Sequence, residues 1–155
     1  NYLNDGVRLS LKQNKQDNET HDGMDIALIS IEGMNLQYAG AHRPLYLIRS
    51  GKLQEINATK FAIGGMQLGD DKKIFENNSF TIEKDDSLYM FTDGFVDQFG
   101  GEKGKKFMAK RFQELLLSIQ DKSMWDQKNI LESVIDNWKS NLEQVDDILV
   151  VGIKI

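Results

Sequence analysis

The spacing of apolar residues changes character along the chain. Residues 1–13 place Tyr2, Leu3, Val7 and Leu11 roughly on one face, a helical pattern interrupted by Gly6. Residues 14–21 are wholly polar and read as a surface loop. Short strand-like runs follow at 25–32, 35–40, 45–49 and 52–56. Gly33 marks the first turn, and Ser50-Gly51 predicts a two-residue hairpin whose glycine supplies the positive φ. Ile26-Ala27-Leu28-Ile29 is apolar on both faces, which predicts a central strand covered on both sides. Two more strands, 80–83 and 88–92, flank a turn at Lys84-Asp85-Asp86.

After Gly94 the period becomes helical. Residues 107–120 space Met108, Phe112, Leu115, Leu116 and Ile119 on one stripe, and 129–142 do the same with Ile130, Val134, Trp138 and Leu142. Ser123 with Asp126 three residues on predicts a cap for the second helix. A last apolar strand spans 148–155. Several strands, two helices and a closing strand form an α+β order, with helices on a mostly antiparallel sheet.

Composition narrows the function classes. The 155 residues suit a single domain with a proper core. A net charge of −5 argues against nucleic-acid binding, which wants a basic face. Without cysteine there is no disulfide framework and no thiolate zinc site. Apolar runs such as 148–153 fall far short of the roughly 20 residues needed to span a bilayer. The start carries no signal-peptide pattern, and a chain opening on Asn1 is expected to be a piece of something longer.

The candidate chemistry lies at two strand ends. Tyr89-Met90-Phe91-Thr92-Asp93-Gly94 runs an apolar strand into an aspartate and a glycine, and Asp146-Asp147 opens the apolar strand Ile148-Leu149-Val150-Val151. Read alone, Asp93-Gly94 is an ordinary turn dipeptide and Asp146-Asp147 a solvated strand end. If the strands are antiparallel neighbours, Asp93, Asp146 and Asp147 converge at one sheet edge. Clustered carboxylates repel unless a cation sits between them, and hard divalent ions take oxygen ligands. The pair therefore points to a metal-dependent enzyme.

Other chemistry is thinner. His21 and His42 have no third partner at metal-ligand spacing, and the serine elbow, the P-loop and G-x-G-x-x-G are all absent. Gly64-Gly65 and Gly100-Gly101 read as turn formers. Lys103, Lys105 and Lys106 form a basic loop, read as solvated or as steering a phosphorylated substrate.

At these residues the sequence resembles the SpoIIE/RsbU-like branch of the metal-dependent, PPM-type serine/threonine protein phosphatases. The resemblance runs through Tyr38-Ala39-Gly40-Ala41-His42-Arg43-Pro44-Leu45, Gly64-Gly65 with Leu68-Gly69, the strand Lys84 to Gly94 with Asp85 in place of the usual glycine, and Gln144-Val145-Asp146-Asp147-Ile148. Asp22-Gly23-Met24-Asp25 and Asp97-Gln98-Phe99-Gly100-Gly101 are similar to a subgroup fused behind sensor or membrane modules. The resemblance implies part of a four-layer α-β-β-α sandwich holding two Mg²⁺ or Mn²⁺ ions. A metal-activated water would attack phosphoserine or phosphothreonine without a covalent enzyme intermediate. It implies Asp93 and Asp146 as metal ligands, Asp147 as their helper, and Gly94 as the residue that keeps the backbone close. The implied substrate is a phosphorylated regulatory protein of the anti-anti-sigma-factor kind. The implied setting is a cytoplasmic domain, in a parent that carries a sensor or a membrane anchor.

One departure weighs most. The family's early metal-bearing motifs are absent, and Leu3-Asn4 resembles the helix that follows them. Residues 1–155 are therefore expected to be a single domain, the C-terminal portion of the catalytic domain, carrying about half of the metal shell. They should not bind both ions, should have little or no activity alone, and should self-associate through a bared sheet edge. A receiver domain would carry its acidic pair on the first strand, and a haloacid-dehalogenase phosphatase needs D-x-D-x-T. The remaining alternative is a regulatory or partner-binding module of the same fold that has lost catalysis.

Overall fold

A computed structural model describes residues 2–13, 22–65 and 74–155. The polar stretch 14–21 with His21, and the Leu68-Gly69 motif, lie outside the described residues apart from their neighbours. The chain divides into two compact units, Asn1–Leu45 with Ile56–Ile82, and Tyr46–Glu55 with Glu83–Ile155.

The first unit opens with helix α1 (Tyr2–Ser10). A two-stranded ladder pairs β1 (Gly23–Met24) with β6 (Ile63–Gly64). Its three-stranded antiparallel sheet runs β2 (Ile26–Glu32), β3 (Asn35–Ala41), β7 (Asn78–Thr81). The sequence predicts β2 as a central strand, but it is an edge strand with Leu28 57% exposed. An apolar run can equally form an edge with one face open, and only β3, paired on both sides, buries its alternate Leu36 and Tyr38 completely. The strand expected at 80–83 begins and ends earlier, as β7, and pairs with β3.

The second unit holds the four-stranded sheet β11 (Val150–Lys154), β8 (Ser87–Phe91), β4 (Leu45–Arg49), β5 (Lys52–Ile56). Ser50 and Gly51 both adopt positive φ, 49° and 73°, as the tight turn between β4 and β5 demands. The short helix α2 (Gly94–Asp97) and the hairpin β9 (Phe99–Gly100), β10 (Lys105–Lys106) precede α3 (Ala109–Ile119) and α4 (Met124–Lys139). Ser123 caps α4 by accepting from the Asp126 N–H, so the helix starts earlier than its apolar stripe suggests. Rings interlock through this core: Tyr46–Phe91 at 4.7 Å, Phe91–Phe112 at 4.9 Å, Phe112–Phe95 at 4.7 Å, Phe95–Phe107 at 5.2 Å and Phe107–Trp138 at 5.3 Å between centroids. Each such pair adds about 0.5–1.5 kcal/mol beyond its buried area. The observed class is α+β with mostly antiparallel sheets.

A buried carboxylate secures the end of this sheet. Asp86, 1% exposed, accepts from Arg49 Nε at 2.9 Å and Nη2 at 2.6 Å, and from the Glu83 N–H at 2.7 Å. Its backbone carbonyl receives the Ile155 N–H at 2.9 Å, tying down the C-terminus. Burial pushes the Asp86 carboxyl up, but the Arg49 fork, the Glu83 amide and Lys154 outweigh it, so the folded pKa lies below the ordinary value. A depressed carboxyl stabilises the fold above its unfolded pKa, near 3.9, and this contribution fades as pH falls through the folded value. Asp86→Asn should cost about 2–3 kcal/mol at neutral pH in urea unfolding, with the gap to wild type narrowing below about pH 4. A gap that persists undiminished in acid would show that the charge is not its source.

Candidate metal-binding edge

The candidate site lies in the second unit, where β8 and β11 pair antiparallel with Val150 opposite Phe91. Beyond the last paired residues, Thr92 continues the zipper. Its N–H donates to the Leu149 carbonyl at 3.0 Å, while its Oγ1 donates to the Asp147 carbonyl at 2.7 Å and accepts from the Leu149 N–H at 2.9 Å. Asp93 follows at the N-cap of α2, and its carbonyl accepts the Asp97 N–H at 2.8 Å. Gly94 is buried, and a Cβ there would sit 2.4 Å from the Asp147 carbonyl oxygen and 3.1 Å from that of Asp146. The expectation that the two acidic segments come from neighbouring antiparallel strands therefore holds. Glycine is required at 94 because the two backbones touch.

The loop that carries the second segment is held from behind. Gln98 is fully buried; its Nε2 donates to the Glu143 carbonyl at 2.9 Å and its Oε1 accepts from the Val145 N–H at 3.4 Å. The Gln98 carbonyl in turn accepts from Trp138 Nε1 at 3.0 Å and from the Phe107 N–H at 3.0 Å. Asp146 Oδ1 accepts the Asp147 N–H at 2.7 Å, and Gln144 Nε2 donates to the Asp146 carbonyl at 2.8 Å. Asp146 and Asp147 are exposed and Asp93 half-buried.

Carboxylates on a tightly apposed backbone suit a hard, oxygen-seeking cation. Among the described residues, however, no three or more Asp, Glu or His side chains gather in one cluster able to hold a metal. The oxygen donors of Asp93, Asp146 and Asp147 are of the type such an ion takes. Lys105 and Lys106 lie on β10, with Lys106 Nζ 2.9 Å from the Asp97 carboxylate. His42 is an exposed residue with φ 58°.

Gly64 and Gly65, in the first unit, are more than turn formers. Both have positive φ, and their N–H groups donate to Asn4 Oδ1 and Gln13 Oε1 at 2.9 Å each. Thr92 and Gln98 are the supporting residues that pattern reasoning passes over. A threonine ending a strand and a glutamine after a short turn look solvent-facing until their partners, some 40 to 57 residues away, are seen.

The chain's fold matches solved phosphatase domains. The SiaA-PP2C domain of Pseudomonas aeruginosa superposes with a TM-score of 0.82 at 24% identity, over 99% of this chain and 59% of that one. The phosphatase domain of the cell fate determinant SpoIIE from Bacillus subtilis gives 0.59 at 15%, over 97% and 64%. The Mycobacterium tuberculosis serine/threonine phosphatase PstP/Ppp gives 0.63 at 13%, over 96% and 66%. The chain thus spans about three fifths to two thirds of the length of these solved domains. Comparison with curated proteins found no match. The sequence model of stage II sporulation protein E matches residues 3–155, and the chain belongs to the SpoIIE family.

Proposed function

We propose that the chain is the C-terminal portion of a metal-dependent phosphatase domain that removes phosphate from serine or threonine of a regulatory protein in bacterial signalling. The observation that carries this reading is the backbone contact between Gly94 and Asp146-Asp147. It sets two acidic segments side by side at one end of neighbouring antiparallel strands. Membership of the SpoIIE family and the PP2C-type fold support it.

On this reading Asp93 and Asp146 hold Mg²⁺ or Mn²⁺, with Asp147 as helper. Such ions, when bound, lower the pKa of a water and offset charge developing on the phosphoryl group. The chain's own task is to fix the carboxylates. Thr92 locks the strand ends, Gly94 lets the backbones meet, and Gln98 clamps the approach to Asp146. Lys105 adds positive charge for an anionic substrate, with a smaller share from Lys106, which Asp97 already engages. The substrate would be a phosphorylated protein of the anti-anti-sigma-factor class, reached by a cytoplasmic domain behind a sensor or membrane module. Among the described residues no helix is long and apolar enough to cross a membrane. Exposed Leu28 and Ile31 on edge strand β2 support self-association of the 155 residues.

A second reading, a regulatory module without catalysis, is favoured by the lack of a three-carboxylate cluster among the described residues. Titration of Mn²⁺ into the 155 residues, followed by assay of an aryl phosphate in millimolar Mn²⁺, addresses both. The expected result is weak binding that Asp146→Asn abolishes, with little or no turnover. Robust, chelator-sensitive turnover would overturn the partial-shell argument. Absence of Mn²⁺ binding, with no turnover of a phosphopeptide by a longer protein carrying the chain, would favour the regulatory module.

A further inference from the structure

A groove of about 750 Å³ opens in the second unit between the β9–β10 hairpin and the start of α3, floored by Phe107 and Trp138. Its cations are Lys103, Lys105, Lys106, Lys110 and Arg111, and its lining acids are Glu102 and Glu114. Five positive against two negative charges leave +3 along this wall, in a chain whose net charge is −5. Lys106 is drawn to Asp97, whereas Lys103, Lys105 and Lys110 make no ion pair among the described residues. Arg111 lies over the Trp138 ring, 4.3 Å from its centroid, and within 5.5 Å of Phe107. Stacking and a bond from Nη1 to the Phe107 carbonyl at 3.4 Å pre-position the guanidinium, leaving its other N–H groups to meet a carboxylate. Met108, 59% exposed, adds an apolar contact at the rim.

We infer that this groove docks an acidic segment of a protein partner. The volume lies in the range that takes up a drug-sized ligand or a few residues of peptide. The cations are distributed over a hairpin and a helix, which suits an extended chain with several carboxylates better than one compact anion. A nucleic acid carries charge along its whole length and would meet the acidic remainder of this chain beyond the groove, whereas a short acidic segment ends within it. A lipid surface would need a protruding apolar face, not a concavity with its tryptophan N–H already bonded to Gln98. The inference rests on the proposed phosphatase reading only for the partner's identity as a phosphoprotein substrate. The binding itself involves neither metal nor turnover.

Trp138 provides the readout. In a Trp125→Phe background, which removes the other, exposed tryptophan, a short Asp/Glu-rich peptide should change Trp138 fluorescence saturably and with strong salt dependence. Lys105→Glu combined with Lys110→Glu should weaken this binding about tenfold or more, while Lys128→Glu, on α4 outside the groove, should leave it unchanged. Circular dichroism checks that the charge-reversed protein is folded; both lysines are exposed. No peptide binding, binding indifferent to the double reversal, or tighter binding to phosphatidylserine vesicles or to single-stranded RNA would each overturn the inference. Because no catalysis is measured, peptide binding without phosphatase activity would fault the functional reading alone.

Discussion

Asp93→Asn is expected to lower phosphatase turnover by roughly 100-fold or more in a longer protein that completes the metal site, with the fold intact. Asp93 stands at the N-cap of α2, with φ −71° and no capping bond from its side chain. Asparagine is as good a residue at that position as aspartate, so the start of α2 is kept. What changes is charge. A neutral amide is a poor ligand for a hard divalent ion, and the loss falls on any metal-polarised water. Removing one carboxylate from an acidic edge also relieves repulsion, so the metal-free protein should hold its melting temperature or gain slightly. Turnover of a phosphopeptide with Mn²⁺, set beside thermal unfolding without metal, separates the two effects. Near-normal turnover would mean that Asp93 is not a ligand.

Gly100→Ala should produce the largest loss of stability among the glycine substitutions of the second unit. A Cβ at this position would lie 1.9 Å from the Trp138 carbonyl oxygen and 2.5 Å from its carbon, which are backbone atoms of α4 that cannot swing aside. Relief requires β9 to lift off the last turn of α4. That movement breaks the Gly101 N–H to Trp138 carbonyl bond of 2.9 Å and disturbs the Trp138 Nε1 to Gln98 bond of 3.0 Å. Overpacking together with a lost hydrogen bond sums to about 3–4 kcal/mol, a fall of roughly 10 °C in melting temperature. Gly6→Ala provides the contrast, because nothing lies within 4 Å of a Cβ there and alanine favours α1 by up to about 1 kcal/mol. An unchanged melting temperature for Gly100→Ala would show that β9 and α4 are not in contact. The same variant should loosen Gln98 and, through it, the loop before Asp146.

Much of this arrangement follows from the sequence because it is governed by local periodicity. The α3 stripe through Phe112, Leu116 and Ile119 is buried as the period predicts, and Ser123 announces the second helix through its hydroxyl. But α4 buries Leu131 and Ile135, while Ile130, Val134 and Trp138 of the expected stripe are half-buried and Leu142 lies exposed beyond the helix. Ser50-Gly51 announces its turn through the φ that glycine tolerates. The acidic ends of β8 and β11 are legible because an apolar strand that stops on aspartate leaves few places for the charge to go. Tertiary structure alone decided the rest. Ile26 to Ile29 looks the same in sequence whether its strand is central or at an edge, since edge position depends on which neighbour pairs with it. Two-residue strands such as β1, β6, β9 and β10 are too short to show a period at all. The roles of Thr92 and Gln98, the Cβ-sized contact at Gly94, and the gathering of lysines from hairpin and helix around Trp138 arise from residues distant in the chain. Local sequence holds the donors and the charges, but their partners exist only once long-range packing has brought those backbones together.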